Sequence, residues 1–244
     1  MTPTQNAFIG IDPSAGKSLT WAVLDNNRRL LNLEQGDLEA LAAQITAQPA
    51  PRLALCGPFH PNLGLMQRPE WRARLQPPPK PGRWLNCRVA EYLLRQRGLH
   101  CPLTAAVEAD CPAWMPASFA VFRRLQSMGF TAYPQTAGLQ VLEIYPPASY
   151  LAWLGHPPLP RASLEGRLQR QALLYDERLN IHDPMEFFEE ITRHRLRQGV
   201  LPVELLYTPS ALDALAAAYS AWISLHQPER LTLLGEAEEG QIVI

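Results

Sequence analysis

The chain lacks a strong charge of either sign. Its 22 Lys and Arg residues against 23 Asp and Glu leave a net charge of −1 over 244 residues. Proteins that coat nucleic acid through bulk charge are strongly basic, so any nucleic-acid contact is expected to be local. No apolar run approaches the roughly 18 residues of a membrane span, so no membrane partner is expected. The opening MTPTQNAFIG lacks the basic and long apolar regions of a signal peptide. Cysteine is sparse: Cys56, Cys87, Cys101 and Cys111 form no CxxC pair. Reduced thiols in a cytoplasmic protein are the expectation. Neither an internal repeat nor a Gly-x-Ser-x-Gly elbow is present.

What is abundant is apolar and proline content. Hydrophobic residues make up 47% and charged residues 18%, which excludes a disordered chain. The length fits one large domain at about 100–200 residues per domain. The 24 prolines predict stiff loops and short elements.

Residues 7–12 (AFIGID), 19–25 (LTWAVLD) and 29–34 (RLLNLE) read as three strands joined by tight turns, an antiparallel meander. A helix over 38–47 follows, with Leu38, Leu41, Ala42 and Ile45 at helical spacing. Residues 52–56 (RLALC) are a fourth strand, stopped by Gly57-Pro58. From Phe59 to Asn86 six prolines predict a long irregular loop, the kind that is functional or disordered. Helices are expected over 88–97 and 117–128, a strand over 140–145, and helices over 148–154, 163–179 and 184–198. Thr208-Pro209 supplies an N-cap and a first helical residue for a helix to about 226. Strands at 231–235 and 241–244 end the chain. Adjacent strands exclude a purely alternating parallel sheet. The fold class is α/β: one domain over 1–244, a mixed sheet with helices on both faces, and a Pro-rich loop with a helical insertion at about 58–130.

Three acids stand on apolar elements. Asp12 closes the first strand, Glu143 lies inside VLEIY, and Asp213 lies in SALDALAAAY. A buried carboxylate needs a basic partner, hydrogen bonds or a metal ion. Together the three could offer oxygen ligands to Mg²⁺ or Mn²⁺, which would activate water for displacement at phosphorus. Each also has a plainer reading, as a turn residue, an edge-strand residue or a wet helix face.

Several short pieces, in order, resemble one family. They are Gly10-Ile11-Asp12 with Trp21, then Gly57-Pro58-Phe59, Arg88-x-x-Glu91 and Glu143-Ile144-Tyr145-Pro146-Pro147-Ala148. Leu212-Asp213-Ala214 and Glu239-Gly240-Gln241-Ile242-Val243 complete the set. The pattern is similar to the predicted ribonuclease H-like nucleases known as domain of unknown function 429. The resemblance implies a ribonuclease H-like fold and a metal-dependent hydrolase. Its acidic positions are Asp12, Glu143 and Asp213, and Arg88 matches its arginine. Glu91 stands where Asp is usual. Cys56 stands where the family has an Asp, and a thiol is a poor ligand for Mg²⁺. The resemblance therefore implies the fold more firmly than the activity, with Glu91 as a substitute metal ligand or the site decayed into a binding surface.

Gly16-Lys17-Ser18 invites a P-loop reading, but five residues rather than four separate Gly10 from Gly16, and a strand follows. Lys17, like Arg88, is a candidate phosphate-binding residue. An actin-like ATPase also opens with Gly-Ile-Asp and a hairpin, but no second glycine-rich phosphate hairpin is present. Residues 68–97 hold eight basic residues and two acids, with Trp71 and Trp84 among them. Such a segment could hold a single strand by phosphate contact and stacking, or it is a solvated loop over packed Trp residues. Cys87, His100, Cys101 and Cys111 fit no zinc spacing. His60, after Gly57-Pro58, is a candidate general acid or an exposed loop residue. The mixed-charge helices at 163–198 offer an amphipathic surface for packing or for a homodimer.

Overall fold

A computed structural model describes residues 6–13, 18–135 and 137–244. Strands β1 (Ala7–Asp12), β2 (Leu19–Leu24) and β3 (Leu30–Gly36) form the antiparallel meander. Helix α1 (Leu38–Thr46) starts at Asp37, whose carboxylate accepts from the Ala40 N–H. It leads into β4 (Pro51–Cys56), which pairs parallel to β1. The insertion carries α2 (Pro69–Arg74), α3 (Val89–Gln96) and α4 (Met115–Ser127). A two-residue strand β5 (Thr131–Ala132) and β6 (Gln140–Ile144) follow, parallel to each other. Then come α5 (Pro146–Leu154), α6 (Leu164–Asp176), α7 (Met185–Glu190), a π-turn at Ile191–Arg195 and α8 (Leu196–Gln198). Helix α9 (Pro209–His226), β7 (Leu233–Glu236) and β8 (Gly240–Val243) end the chain. The mixed sheet runs β3-β2-β1-β4-β6-β8-β7, with β5 on β6. Among the described residues no helix is long and apolar enough to cross a membrane.

β1 and β4 are covered on both faces, which is why they read as continuous apolar runs. Side chains alternate between faces. Phe8, Ala22, Leu24, Ala54, Leu142 and Ile144 pack under α9. Ile9, Ile11, Trp21, Leu53, Leu55 and Val141 pack with Leu41 and Ile45 of α1 and Val121, Phe122 and Leu125 of α4. Helix α9 lies hard against β1 because Gly10 has no side chain. A Cβ there would sit 2.0 Å from the Ala214 carbonyl oxygen and 2.2 Å from the Ala218 nitrogen. The run of alanines on α9 serves the same close approach.

The Pro-rich stretch differs from its sequence expectation. It is packed, and it contains a helix. Pro69 begins α2 at the first helical position, where a missing N–H forfeits no bond. Leu65, Met66, Leu75, Cys87, Val89 and Tyr92 form a small core of their own, flanked by Trp71 and Trp84. The Arg72 guanidinium ties the loop by donating to the carbonyls of Met66, Pro79, Lys80 and Arg83. The 184–198 helix is interrupted by the π-turn, and β5 is too short to have left a pattern.

Candidate active site

The parallel strands deliver their C-terminal residues to one end of the sheet. Gly10 pairs with Ala54 and Ala54 with Leu142. Two residues on, Asp12 and Cys56 therefore share the face that α9 covers. Thr208 caps α9, its hydroxyl accepting from the Ala211 N–H, and Pro209 is its first residue. Asp213 lies in the second turn of α9, over the same sheet end. The Cys56 thiol donates to the Asp213 carbonyl oxygen at 3.5 Å.

Between the two carboxylates lies Arg161, from the loop joining α5 to α6. Its Nε donates to Asp213 Oδ2 at 2.6 Å, and its Nη2 to Asp12 Oδ2 at 3.3 Å and Ser210 Oγ at 3.4 Å. The aspartates are buried, while the Arg161 side chain is 40% exposed. The loop's backbone is pinned on both sides of Arg161. Leu159 N–H donates to Gln169 Oε1 at 2.8 Å, and Arg170 Nη1 donates to the Leu159 carbonyl at 2.9 Å. Ser163 caps α6, accepting from Gly166 N–H. Gly166 lets Pro160 approach so closely that a Cβ would fall 1.8 Å from its carbonyl oxygen.

Burial raises the Asp213 carboxyl to about 6, against the pull of Arg161 and with the push of Asp12. Burial also holds the Cys56 thiol well above its usual range, and Asp12 and Asp213 add to the effect. Both follow from desolvation, which disfavours the charged form of an acid. The group opens on a cleft of about 230 Å³. Trp114, Tyr145, Pro102 and Pro147 form its apolar wall, facing Asp12, Asp213 and Arg161. Gly57 seats the Trp114 ring, since a Cβ at 57 would lie 2.7 Å from it.

Glu143 does not join Asp12 and Asp213. It pairs with Leu55, not Cys56, so its side chain emerges on the opposite face of the sheet. The expected convergence of three carboxylates is thus a convergence of two. Glu143 accepts from Arg88 in a two-pronged pair, at 2.6 and 3.0 Å. Nε and Nη2 of Arg88 also donate to the carbonyls of Glu239 and Gly240. Arg88 is buried and turned inward, not toward the cleft. Glu91 closes a capping box by accepting from the Arg88 N–H, and it also accepts from the Thr104 N–H and hydroxyl. Glu239, fully buried, accepts from the Val89 and Leu65 N–H groups. Burial raises the Glu91 carboxyl, opposed by Arg88 and Thr104.

Lys17 lies outside the described residues. His60 is on the loop after β4, with Nδ1 2.8 Å from the Pro61 carbonyl oxygen, and does not line the cleft. In the basic segment Arg72 and Arg88 are structural, Arg74 lies 4.6 Å over Trp71, and Arg95 lies 4.9 Å over Trp84. Arg68, Arg74, Lys80, Arg83 and Arg97 are exposed. Among the described residues no three His, Cys, Asp or Glu side chains are grouped to hold a metal. Sequence reasoning missed Arg161 and the role of Glu239. Arg161 carries no local signal beyond its place after a run of prolines, and Glu239 was visible only as part of the closing Glu-Gly motif.

A mixed α/β fold with a cleft of apolar and charged side chains at the strand ends is the class of protein defined here. A family model described as "Protein of unknown function (DUF429)" matches residues 92–239. That span exceeds half of the chain, and the chain belongs to this family. The matched region contains Glu143, Arg161 and Asp213, while Asp12, Cys56 and Arg88 precede it. No curated protein and no solved structure matches the chain.

Proposed function

We propose that the protein is a divalent-cation-dependent phosphodiesterase, a nuclease on a ribonuclease H-like fold. The strand order supports the fold reading: an antiparallel meander, then β4 and β6 added parallel to β1, with helices on both faces. The observation that carries the function is the meeting of Asp12 and Asp213 at the C-terminal ends of the strands, beside an open cleft. Open α/β sheets bind their ligands at such strand ends.

Two carboxylates suit a hard cation that takes its other oxygens from water and a substrate phosphate. Asp12 and Asp213 would hold it. Cys56 is the wrong donor, and Glu143 and Glu91 are engaged elsewhere. Such an ion, when bound, activates water and offsets charge in the in-line displacement at phosphorus. Arg161 is placed to donate to a phosphate oxygen in the fork geometry that guanidinium favours. Trp114 and Tyr145 offer a wall against which a base can stack.

The test is an assay with single- and double-stranded DNA and RNA in Mg²⁺ or Mn²⁺, comparing the wild type with Asp12→Asn. Cleavage that chelator and the variant both abolish is the expected result. A second reading, a binding protein with a decayed site, draws on Cys56 in place of an acid and on Arg161 between the two aspartates. Cleavage by Cys56→Asp but not by the wild type would establish that second reading.

A further inference from the structure

We infer that Arg161 is the resident counter-cation of the cleft, and that a phosphate-bearing ligand must draw it off before a divalent ion can take both aspartates. Binding of cation and phosphate is then cooperative. The inference rests on the function proposed above and adds the order in which its parts assemble.

The geometry supplies the argument. The guanidinium donates to Oδ2 of both Asp213 and Asp12, so it occupies the space where the two carboxylates could share one ion. The Arg161 guanidinium already offsets much of the charge of the two carboxylates, and Arg170 acts on Asp213 as well. A dication added beside the guanidinium would face a cation in the same pocket, in surroundings partly shielded from water. A phosphodiester supplies the missing negative charge, and its oxygens match the guanidinium fork. The side chain has a way out. It is 40% exposed, and the backbone that carries it is held by Gln169 and Arg170 through Leu159, on one side, and by the Ser163 cap, on the other. Arg161 can swing toward the cleft without the loop unfolding. The apolar wall of Trp114 and Tyr145 lies across the same cleft, where the ligand's base would sit.

Linkage makes the coupling reciprocal: whatever factor phosphate adds to cation affinity, the cation adds to phosphate affinity. The experiment is calorimetric titration of Mn²⁺ into the full chain, alone and with a phosphorothioate-linked dinucleotide that resists cleavage. In the wild type the dinucleotide should strengthen Mn²⁺ binding by about tenfold or more, within the usual span of such couplings. Arg161→Ala should bind Mn²⁺ alone about tenfold more tightly than the wild type, with little further gain from the dinucleotide. Should Arg161→Ala fail to fold by circular dichroism, Arg161→Gln, which keeps hydrogen bonding and removes the charge, takes its place. Equal Mn²⁺ affinity in wild type and variant would overturn the inference and leave the paired aspartates as a cation site. A folded variant that loses Mn²⁺ binding would also overturn it, because Arg161 would then be organising the ligands. Absence of Mn²⁺ binding in every protein, with and without dinucleotide, would overturn both the inference and the function beneath it.

Discussion

Two arginines in this chain do the same elementary job in opposite settings. Arg88 and Arg161 each neutralise acids that burial would otherwise penalise. The Arg88 side chain is 2% exposed and its partner Glu143 1%. Its Nε and Nη2 also donate to backbone carbonyls of the segment entering β8. Arg161 is 40% exposed and touches one oxygen of each aspartate. The closed cluster joins α3, β6 and the β7–β8 hairpin, and the bonds its arginine makes all go to partners within the fold. The open cluster holds its charges at the water's edge, where one partner can be exchanged for another. A buried ion pair stabilises little relative to apolar residues, but losing one member strands the other. The contrast separates an arginine that holds the fold from one that guards a site.

The largest expected effect breaks the closed member. Arg88→Met or Glu143→Gln should lower unfolding free energy by about 3–5 kcal/mol, because each leaves an uncompensated buried group. Urea unfolding would measure it. Arg161→Met should lose less, about 1–3 kcal/mol, because the arginine is partly exposed although the two aspartates it leaves behind are buried. Equal losses at the two arginines would erase the distinction drawn between the clusters.

A smaller effect of opposite sign is expected at Asp213. Its carboxyl is raised to about 6, above the 3.8 of a free Asp side chain. The folded state therefore binds this proton more tightly than the unfolded chain does. Ionising Asp213 opposes folding above about pH 6, and the opposition is relieved as pH falls toward 4. Asp213→Asn should be more stable than the wild type by roughly 1–3 kcal/mol at pH 8 and should match it near pH 4. Melting curves across that range would show it. A variant less stable at pH 8 would mean that the Arg161 bridge outweighs the burial penalty.

The two clusters were not equally legible in the sequence. Asp12 and Asp213 stood out because each is a carboxylate on an apolar element. Thr208-Pro209 announced the helix that carries one, and AFIGID the strand that carries the other. Glu143 looked equivalent because a strand sequence shows alternation but not which face is which. Only the pairing of Leu55 with Glu143 turns it away from Cys56 and Asp12. Arg88 announced a charge without revealing that its partners come from residues 143, 239 and 240. Arg161 was hidden altogether. It follows Gly155-His156-Pro157-Pro158-Leu159-Pro160 in an irregular loop, and the two aspartates it bonds lie more than 50 residues away in the chain. Periodicity marks faces of regular elements, so it has nothing to say about a loop arginine.

The smallest effect concerns the thiol that shares a face with the open cluster. Cys56 meets Asp213 only through a 3.5 Å contact to its carbonyl oxygen. Burial and the two neighbouring aspartates keep it protonated at neutral pH, so it is no nucleophile there. Cys56→Ser keeps a donor of similar size for the same carbonyl. Its stability should stay within about 1 kcal/mol of the wild type, the net value of an ordinary hydrogen bond. Any cation-dependent cleavage should continue at the wild-type rate. Loss of cleavage in a folded Cys56→Ser protein would place the thiol among the reacting groups. The chemistry would then belong to sulfur, and the aspartates and Arg161 would serve to position it rather than to hold an ion.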